Sequence, residues 1–340
     1  MRTKATKRNP KRAKSPPKST QERVRSFLEL FRGSESVLIL INPDPDAMAT
    51  ALAVKRLLWK HVGKTLIACI REIQRLENQA MMELLKIPMV KINQVVSGDF
   101  IRRILVDAQP DHSEIFGEFT YEAIIDHHPR TQEWNALYVD IRPEYGATAT
   151  ILIEYLRAAK IKPSINLATA LLYAIKTDTA NFERDATEED VKQFRYVFHY
   201  ANINLLRKIE KSELRVSDLQ YFQTALENRI ITKKAIYAHL GKVTSTDICV
   251  QIADYFMRVY GIGWSFVSGV YQDTLIVIIR NDGYRKDAGK LASSAFGSFG
   301  AAGGHRGAAR AEIPLNSLPQ KGIKPHDSFL EGFVRERLNL

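Results

Sequence analysis

Through the first two hundred residues, short apolar runs alternate with stretches in which apolar residues return every three or four positions. The runs SVLILI (36–41), TLIACI (65–70), IRRILV (101–106) and YEAII (121–125) read as strands covered on both faces, because nearly continuous apolar sequence is what a buried parallel strand requires. Between them, Met48–Lys60 and Ile73–Lys86 have helical period. LYVDI (137–141) adds an edge strand, and the stretches 146–159 and 166–175 read as helices. Thr187-Glu188-Glu189-Asp190 has the look of a capped helix start. Alternation of this kind predicts an α/β fold with a mostly parallel sheet covered by helices.

That first domain is expected over residues 21–205. Residues 206–232 are charged, helical in period and free of Gly and Pro, and read as a helical connector. Residues 233–340 read as a smaller α+β domain: AIYAHL, a helix over 247–260, and the strands WSFVSGVY and TLIVIIR joined by a turn at Gln272-Asp273. A glycine-rich segment, FGSFGAAGGHRGAARAEI, follows; its backbone N–H groups and His305 suit a phosphate.

Charge changes the picture mainly at the start. Of a net charge of +11, eight positive charges fall within residues 1–20, which carry no acid. With Pro10, Pro16 and Pro17 and few large apolar side chains, these residues are expected to be a disordered basic arm, either solubilising or capturing RNA. No apolar run approaches the roughly 18 residues of a membrane span, and no apolar segment follows the basic start; the chain is therefore read as cytoplasmic, with no membrane partner. Cys69 and Cys249 sit inside apolar runs without metal or redox spacing and read as core residues.

The chemistry lies at the ends of the apolar runs. Asp44 and Asp46 follow the first strand, Asp107 the third, Asp126-His127-His128 the fourth, and Asp178 ends a helical stretch. In an open parallel sheet the carboxyl ends of the strands share one rim, so acids far apart in sequence converge there. Carboxylates so gathered repel one another unless cations hold them ionised, which predicts a metal site. Oxygen-rich coordination with one imidazole suits Mn²⁺, with Mg²⁺ as the alternative, better than zinc. Two such ions about 3.5–4 Å apart can serve a displacement at phosphorus with water as the nucleophile, and Asp107 has the lone pairs to bridge them. His61, His112, His199 and His326 lack acidic company at strand ends and read as surface or structural.

The combination NPDPDA, VDA, DHHP, TDT and GGH, in that order, resembles the DHH superfamily of phosphoesterases over residues 30–315, and within it the branch with a DHH-associated C-terminal domain that includes nanoRNases and pAp phosphatases. The resemblance implies a two-manganese hydrolase of short RNA or DNA oligonucleotides or small nucleotides such as pApA or pAp, with its site between the two lobes and a homodimer as the expected assembly. One metal would be held by Asp44 and Asp107, the other by Asp46, Asp107, His127 and Asp178. His128 would contact the scissile phosphate and Asp126 would orient its histidine neighbours. Gly303, Gly304, His305 and Arg280 would hold the substrate's far end. One departure stands out: where the family places a metal-binding histidine four residues before the first aspartate, this chain has Leu40, which implies that one ion is weakened. The alternatives are an impaired nucleotide-binding sensor and a cyclic dinucleotide phosphodiesterase.

Overall fold

A computed structural model describes residues 19–340 apart from 97, 213, 284–285 and 320–325. All of the predicted basic arm except Ser19 and Thr20 lies outside the described residues, and those two residues start a helix. Ser19 and Glu22 form a capping box on α1 (Thr20–Leu28), satisfying amides that a helix start leaves open. The described chain parts into two compact units between residues 213 and 214. None of the described helices is long and apolar enough to cross a membrane.

The first unit continues with β1 (Ser36–Ile41), α2 (Pro45–Leu57), β2 (Lys64–Cys69), α3 (Leu76–Leu84), β3 (Met89–Lys91), β4 (Arg102–Val106), the short α4 (Glu114–Gly117), β5 (Ala123–Asp126), β6 (Tyr138–Ile141), α5 (Thr148–Ala158), α6 (Ile165–Asp178), α7 (Glu188–Phe198) and α8 (Ile203–Glu210). The strands form one sheet in the order β3-β2-β1-β4-β5-β6, with every pairing parallel. Alternation along β1 serves two cores. Val37, Ile39 and Ile41 pack with α2, α5 and α6, whereas Leu38 and Leu40 join Ala68, Leu105, Phe116 and Ile124 on the other face. Hence the run is apolar at consecutive positions. The chain leaves β1 to wind one way through β2 and β3, then returns beside β1 at β4 to wind the other way.

The second unit holds α9 (Leu219–Glu227), β7 (Ile230–Thr232), β8 (Ala235–Lys242), α10 (Thr246–Phe256), β9 (Trp264–Tyr271), β10 (Thr274–Asn281), α11 (Ala288–Phe296), β11 (Ala301–Gly304), β12 (Ala308–Pro314) and α12 (Asp327–Leu338). Its sheet runs β11-β12-β10-β9-β8-β7, with β8 and β9 parallel and the other pairs antiparallel. Leu275, Val277 and Ile279 of β10 face α11 and α12, while Ile276 and Ile278 face α9 and α10. Within the range 206–232, Leu206 and Ile209 are buried in the first core and Tyr221 and Ala225 in the second. The segment read as one connector therefore contributes a helix to each unit. The glycine-rich segment, expected as a phosphate loop, is largely a hairpin of β11 and β12, and the helix predicted to reach Tyr260 stops at Phe256. Cys69 and Cys249 are both buried thiols, as their apolar runs predicted.

Candidate active site

In an open α/β sheet the crevice forms where the strand order reverses, outside the carboxyl ends of the strands. Here that point lies between β1 and β4. Asp44 and Asp46 follow the first of these strands, and Asp107 follows the second.

Although only Pro45 separates them, Asp44 and Asp46 do different things. Asp44 is the N-cap of α2, accepting from the Ala47 amide at 2.9 Å, with Pro45 preset for the first turn. Asp46 is fully buried and accepts from the Thr148 and Ala149 amides at 2.6 and 2.8 Å. α5 begins at Ala147 without a side chain to cap it. A carboxylate from another element thus takes the amides that a helix N-terminus leaves unpaired. Asp107 has a left-handed backbone, φ 57°, a conformation costing about 1–3 kcal/mol that persists where the surroundings hold it. Its amide donates to the Ile125 carbonyl at 2.9 Å and its carboxylate accepts from Thr148 Oγ1 at 2.8 Å.

His127 Nδ1 lies 3.0 Å from the Tyr145 carbonyl, an acceptor only, so Nδ1 carries the proton and Nε2 is left with its lone pair. Nε2 is 3.7 Å from Asp107 and 3.4 Å from Asp178 at the end of α6. Asp46, Asp107, His127 and Asp178 each place one ligand atom within 4.8 Å of all the others. Asp44 is not in that group of four. Next to the cluster, His128 Nδ1 donates to Asp126 Oδ1 at 2.8 Å, and Asp126 Oδ2 accepts from Gln109 Nε2 at 2.8 Å.

Electrostatics separate the two groups. Burial, then the charges of Asp46, Asp44 and Asp178, hold Asp107 well above the usual carboxylate range. Burial followed by Asp46 and Asp44 pushes Asp178 up to about 10, and burial also raises Asp44 against the pull of the Ala47 amide. Asp126 is equally enclosed, and burial works to raise it, but its bonds to His128 and Gln109 outweigh burial and hold it low. His128 is raised by its bond to Asp126 despite burial. The donors around Asp46 and Asp107 are thus insufficient for the acidic charge gathered there. Three carboxylate oxygens and one imidazole nitrogen are a donor set that fits a divalent cation of the Mn²⁺ or Mg²⁺ type, and such an ion would supply the missing charge.

The structure gathers Asp46, Asp107, His127 and Asp178 into one group, sets Asp44 and the Asp126–His128 pair beside it, and adds others. Gln109 is fully buried, holding Asp126 on one side and accepting from Trp134 Nε1 at 2.9 Å on the other. His112, set aside as structural, lies edge-on to His128 with ring centroids 5.3 Å apart. Leu40, in the place of the expected histidine, is fully buried in the apolar cluster of Ala68, Leu105 and Ala108. Backbone donors such as the Thr148 and Ala149 amides carry no residue signature; only the run of small residues Gly146-Ala147-Thr148-Ala149-Thr150 hinted at a close approach.

In the second unit, Gly303 and Gly304 pair with Arg310 and Ala309 across the β11–β12 hairpin. A side chain at Gly304 would run into the Ala308 carbonyl. The first amides of α11 are already taken: Ala288 donates to the Arg306 carbonyl at 2.8 Å and Gly289 to that of His305 at 3.1 Å. Arg280 Nε donates to Asp254 at 2.7 Å. His305 is exposed, and its own amide donates to Ala308.

A six-stranded parallel sheet with an acid and histidine cluster at its switch point places the first unit among open α/β proteins with their polar crevice at the rim. A family model described as the DHH family, N-terminal domain, matches residues 36–175, so the first unit carries a DHH family domain. Over 280 residues the chain is 35% identical to an uncharacterized protein of Methanocaldococcus jannaschii, covering 82% of this chain and 58% of that one. It is also 25% identical over 169 residues to a protein of Listeria monocytogenes named a probable manganese-dependent inorganic pyrophosphatase, covering 48% of this chain and 54% of that one. The chain thus spans little more than half the length of these curated relatives. Among solved structures, its fold is similar to an exopolyphosphatase-related protein from Bacteroides fragilis, with TM-score 0.67, 14% identity and coverage of 94% and 96%. A second is RecJ in complex with Mn²⁺ from Thermus thermophilus, with TM-score 0.50, 14% identity and coverage of 97% and 56%.

Proposed function

We propose that this chain is a divalent-metal-dependent phosphoester hydrolase of short oligonucleotides or small nucleotides, of the pApA and pAp type. The observation that carries the reading is the convergence of Asp46, Asp107, His127 and Asp178 within 4.8 Å beside the Asp126–His128 pair. When bound, Mn²⁺ or Mg²⁺ supplies Lewis acidity at phosphorus and acidifies water. The chain's own residues do the rest. Tyr145 fixes the His127 tautomer, and Thr148 holds Asp46 and Asp107 in place. Asp126 orients His128 and favours its imidazolium, which can donate its remaining N–H to a phosphate oxygen. Asp44 and Asp107 would hold a second, weaker ion, because Leu40 offers it nothing. In the second unit, a DHH-associated domain on this reading, His305, Gly303, Gly304 and Arg280 would be the substrate-binding residues; Arg280 would exchange its bond with Asp254 for a phosphate.

The burial of Leu40 in an apolar cluster favours a second reading, a protein that binds nucleotides without turning them over. One assay separates the two: chromatographic turnover with Mn²⁺ of pApA, pAp, cyclic di-AMP and inorganic pyrophosphate, side by side. Release of mononucleotide or phosphate that a chelator abolishes is the expected result. Tight nucleotide binding without turnover of any of the four would replace the hydrolase with the sensor, and pyrophosphate as the sole substrate would overturn the nucleotide assignment.

A further inference from the structure

Among the first unit's buried acids, Asp190 of α7 lies outside the ligand cluster. It is fully buried and no basic side chain pairs with it among the described contacts. Its Oδ2 accepts from the Gly146 amide at 2.9 Å, the Thr187 amide at 2.8 Å and Thr187 Oγ1 at 2.6 Å, and its Oδ1 accepts from Thr150 Oγ1. The Thr187 bonds belong to the capping box of α7. The other two have nothing to do with α7, for Gly146 and Thr150 flank the strap that serves the site. Just before that strap the Tyr145 carbonyl fixes His127, and on it Thr148 holds both Asp46 and Asp107 while the Ala149 amide holds Asp46. The approach is close enough to demand glycine. A Cβ at Gly146 would lie 2.7 Å from Thr179 Cγ2, next to Asp178, and 2.9 Å from Asp190 Oδ2.

We infer that Asp190 is the positioning residue of the metal centre: it pins both ends of the strap that, with Tyr145 just before it, orients three of the four ligands. A cap alone would need only the Thr187 side of the carboxylate. Groups that orient metal ligands typically contribute about 10–100-fold in metal affinity. The inference rests on the metal-binding reading of the cluster, so its test measures Mn²⁺ binding by the full chain and needs no turnover.

Calorimetric titration of Mn²⁺ is run on the wild type, Asp190→Ala, Asp190→Asn, Thr187→Ala and Thr150→Val, with thermal melts of the metal-free proteins alongside. Asp190→Ala is expected to weaken binding by about 10–100-fold. Thr187→Ala takes away the cap and leaves the strap bonds, so it should lower the melting temperature while leaving affinity near that of the wild type. Asp190→Asn should restore most of the affinity, because its carbonyl can serve Gly146 and Thr187 while its amide donates to Thr150 Oγ1. Affinity losses in Asp190→Ala and Thr187→Ala that match each other and track the melts would reduce Asp190 to a cap and overturn the inference. Should Asp190→Ala not fold, Thr150→Val decides: it cuts only a strap bond, and unchanged affinity there would also overturn the inference. A wild type whose Mn²⁺ binding is absent, or survives Asp46→Ala, fails at the earlier step and removes the metal site itself.

Discussion

The rim of the first unit and the glycine-rich hairpin of the second both have the residue types that recognise phosphate chemistry, but their own fold treats them differently. In and around the hairpin the strong groups have local partners: Arg280 has Asp254, the amides of α11 have the His305 and Arg306 carbonyls, and Arg310 has Glu312. At the rim the fold gathers acids and then leaves them short of positive charge, so that burial and mutual repulsion hold Asp44, Asp107 and Asp178 above the ordinary carboxylate range. A motif names residue types, whereas a site is marked by charge that the fold concentrates and does not itself offset. On that measure the proposed metal chemistry belongs to the first unit, while the hairpin offers its exposed imidazole among groups that already have local partners.

The comparison breaks most easily at Asp107. Asp107→Asn keeps the backbone and an acceptor for Thr148 but removes the charge, and should weaken Mn²⁺ binding and turnover by more than about 100-fold, beyond what outer ligand-orienting changes cost. Near-normal turnover would sink the metal-centre reading. Gly304→Ala tests the other side. With φ 148° and the Ala308 carbonyl in the way, the added methyl should destabilise the second unit by about 1–3 kcal/mol through overpacking. Mn²⁺ affinity, set in the first unit, should stay put; a parallel loss of affinity would show that the two regions are not independent.

How much of this was legible in the sequence follows from how each signal is encoded. SVLILI, TLIACI and IRRILV announced their strands because burial on both faces leaves no room for polar residues, and the rim acids announced themselves because topology places whatever follows such strands at one edge. The supports were hidden. Asp190 reads locally as part of a helix cap, and its bonds to Gly146 and Thr150 cross from one helix to the start of another. Gln109 holds Asp126 and Trp134 two residues after Asp107, but a neutral amide carries no charge to mark it. The Asp254 partner of Arg280 was not legible because it reaches the strand end only through the packing of α10 on the sheet. α11, Ala288–Phe296, was missed because its small residues gave no wide apolar stripe, although Asp287 caps it through the Lys290 amide.

Leu40 gives a smaller and sharper contrast within the rim itself. Two Mn²⁺ sites of unequal strength are expected, the tighter at the cluster of four and the weaker at Asp44 and Asp107. Leu40→His should cost the metal-free protein about 1–3 kcal/mol, since it puts a polar ring into the cluster of Ala68, Leu105 and Ala108. It should also tighten the weaker ion by about 10-fold, the low end of what ligand changes do. Calorimetry would read both ions, and an unchanged weaker site would mean that this position does not face the second metal.

The smallest expected effect is a difference in sign between the two units as pH changes, measured without metal. In the first unit Asp44, Asp107 and Asp178 are raised, first by burial, and His128 is raised by Asp126. A raised group binds more protons folded than unfolded, so its contribution is full below the unfolded pKa and is lost as pH rises through the folded one. For the carboxylates that loss extends from about 4 upward, reaching about 10 at Asp178. The second unit has the opposite case in His239, buried on Ser268 and lowered by desolvation against the pull of Asp327 and Glu331. Its neutral form is favoured on folding, so its contribution is present above about 6.5 and lost as pH falls below that value. Between about pH 5.5 and 8 the first unit should therefore lose stability with rising pH while the second gains it. Peptide-resolved hydrogen exchange in chelator, corrected for intrinsic rates, reads the two units separately. Mn²⁺ should then remove the slope of the first unit alone, because metal binding favours deprotonated carboxylates. Slopes of the same sign, or an equal response of both units to Mn²⁺, would mean that the charge left without a partner at the rim does not distinguish the two regions.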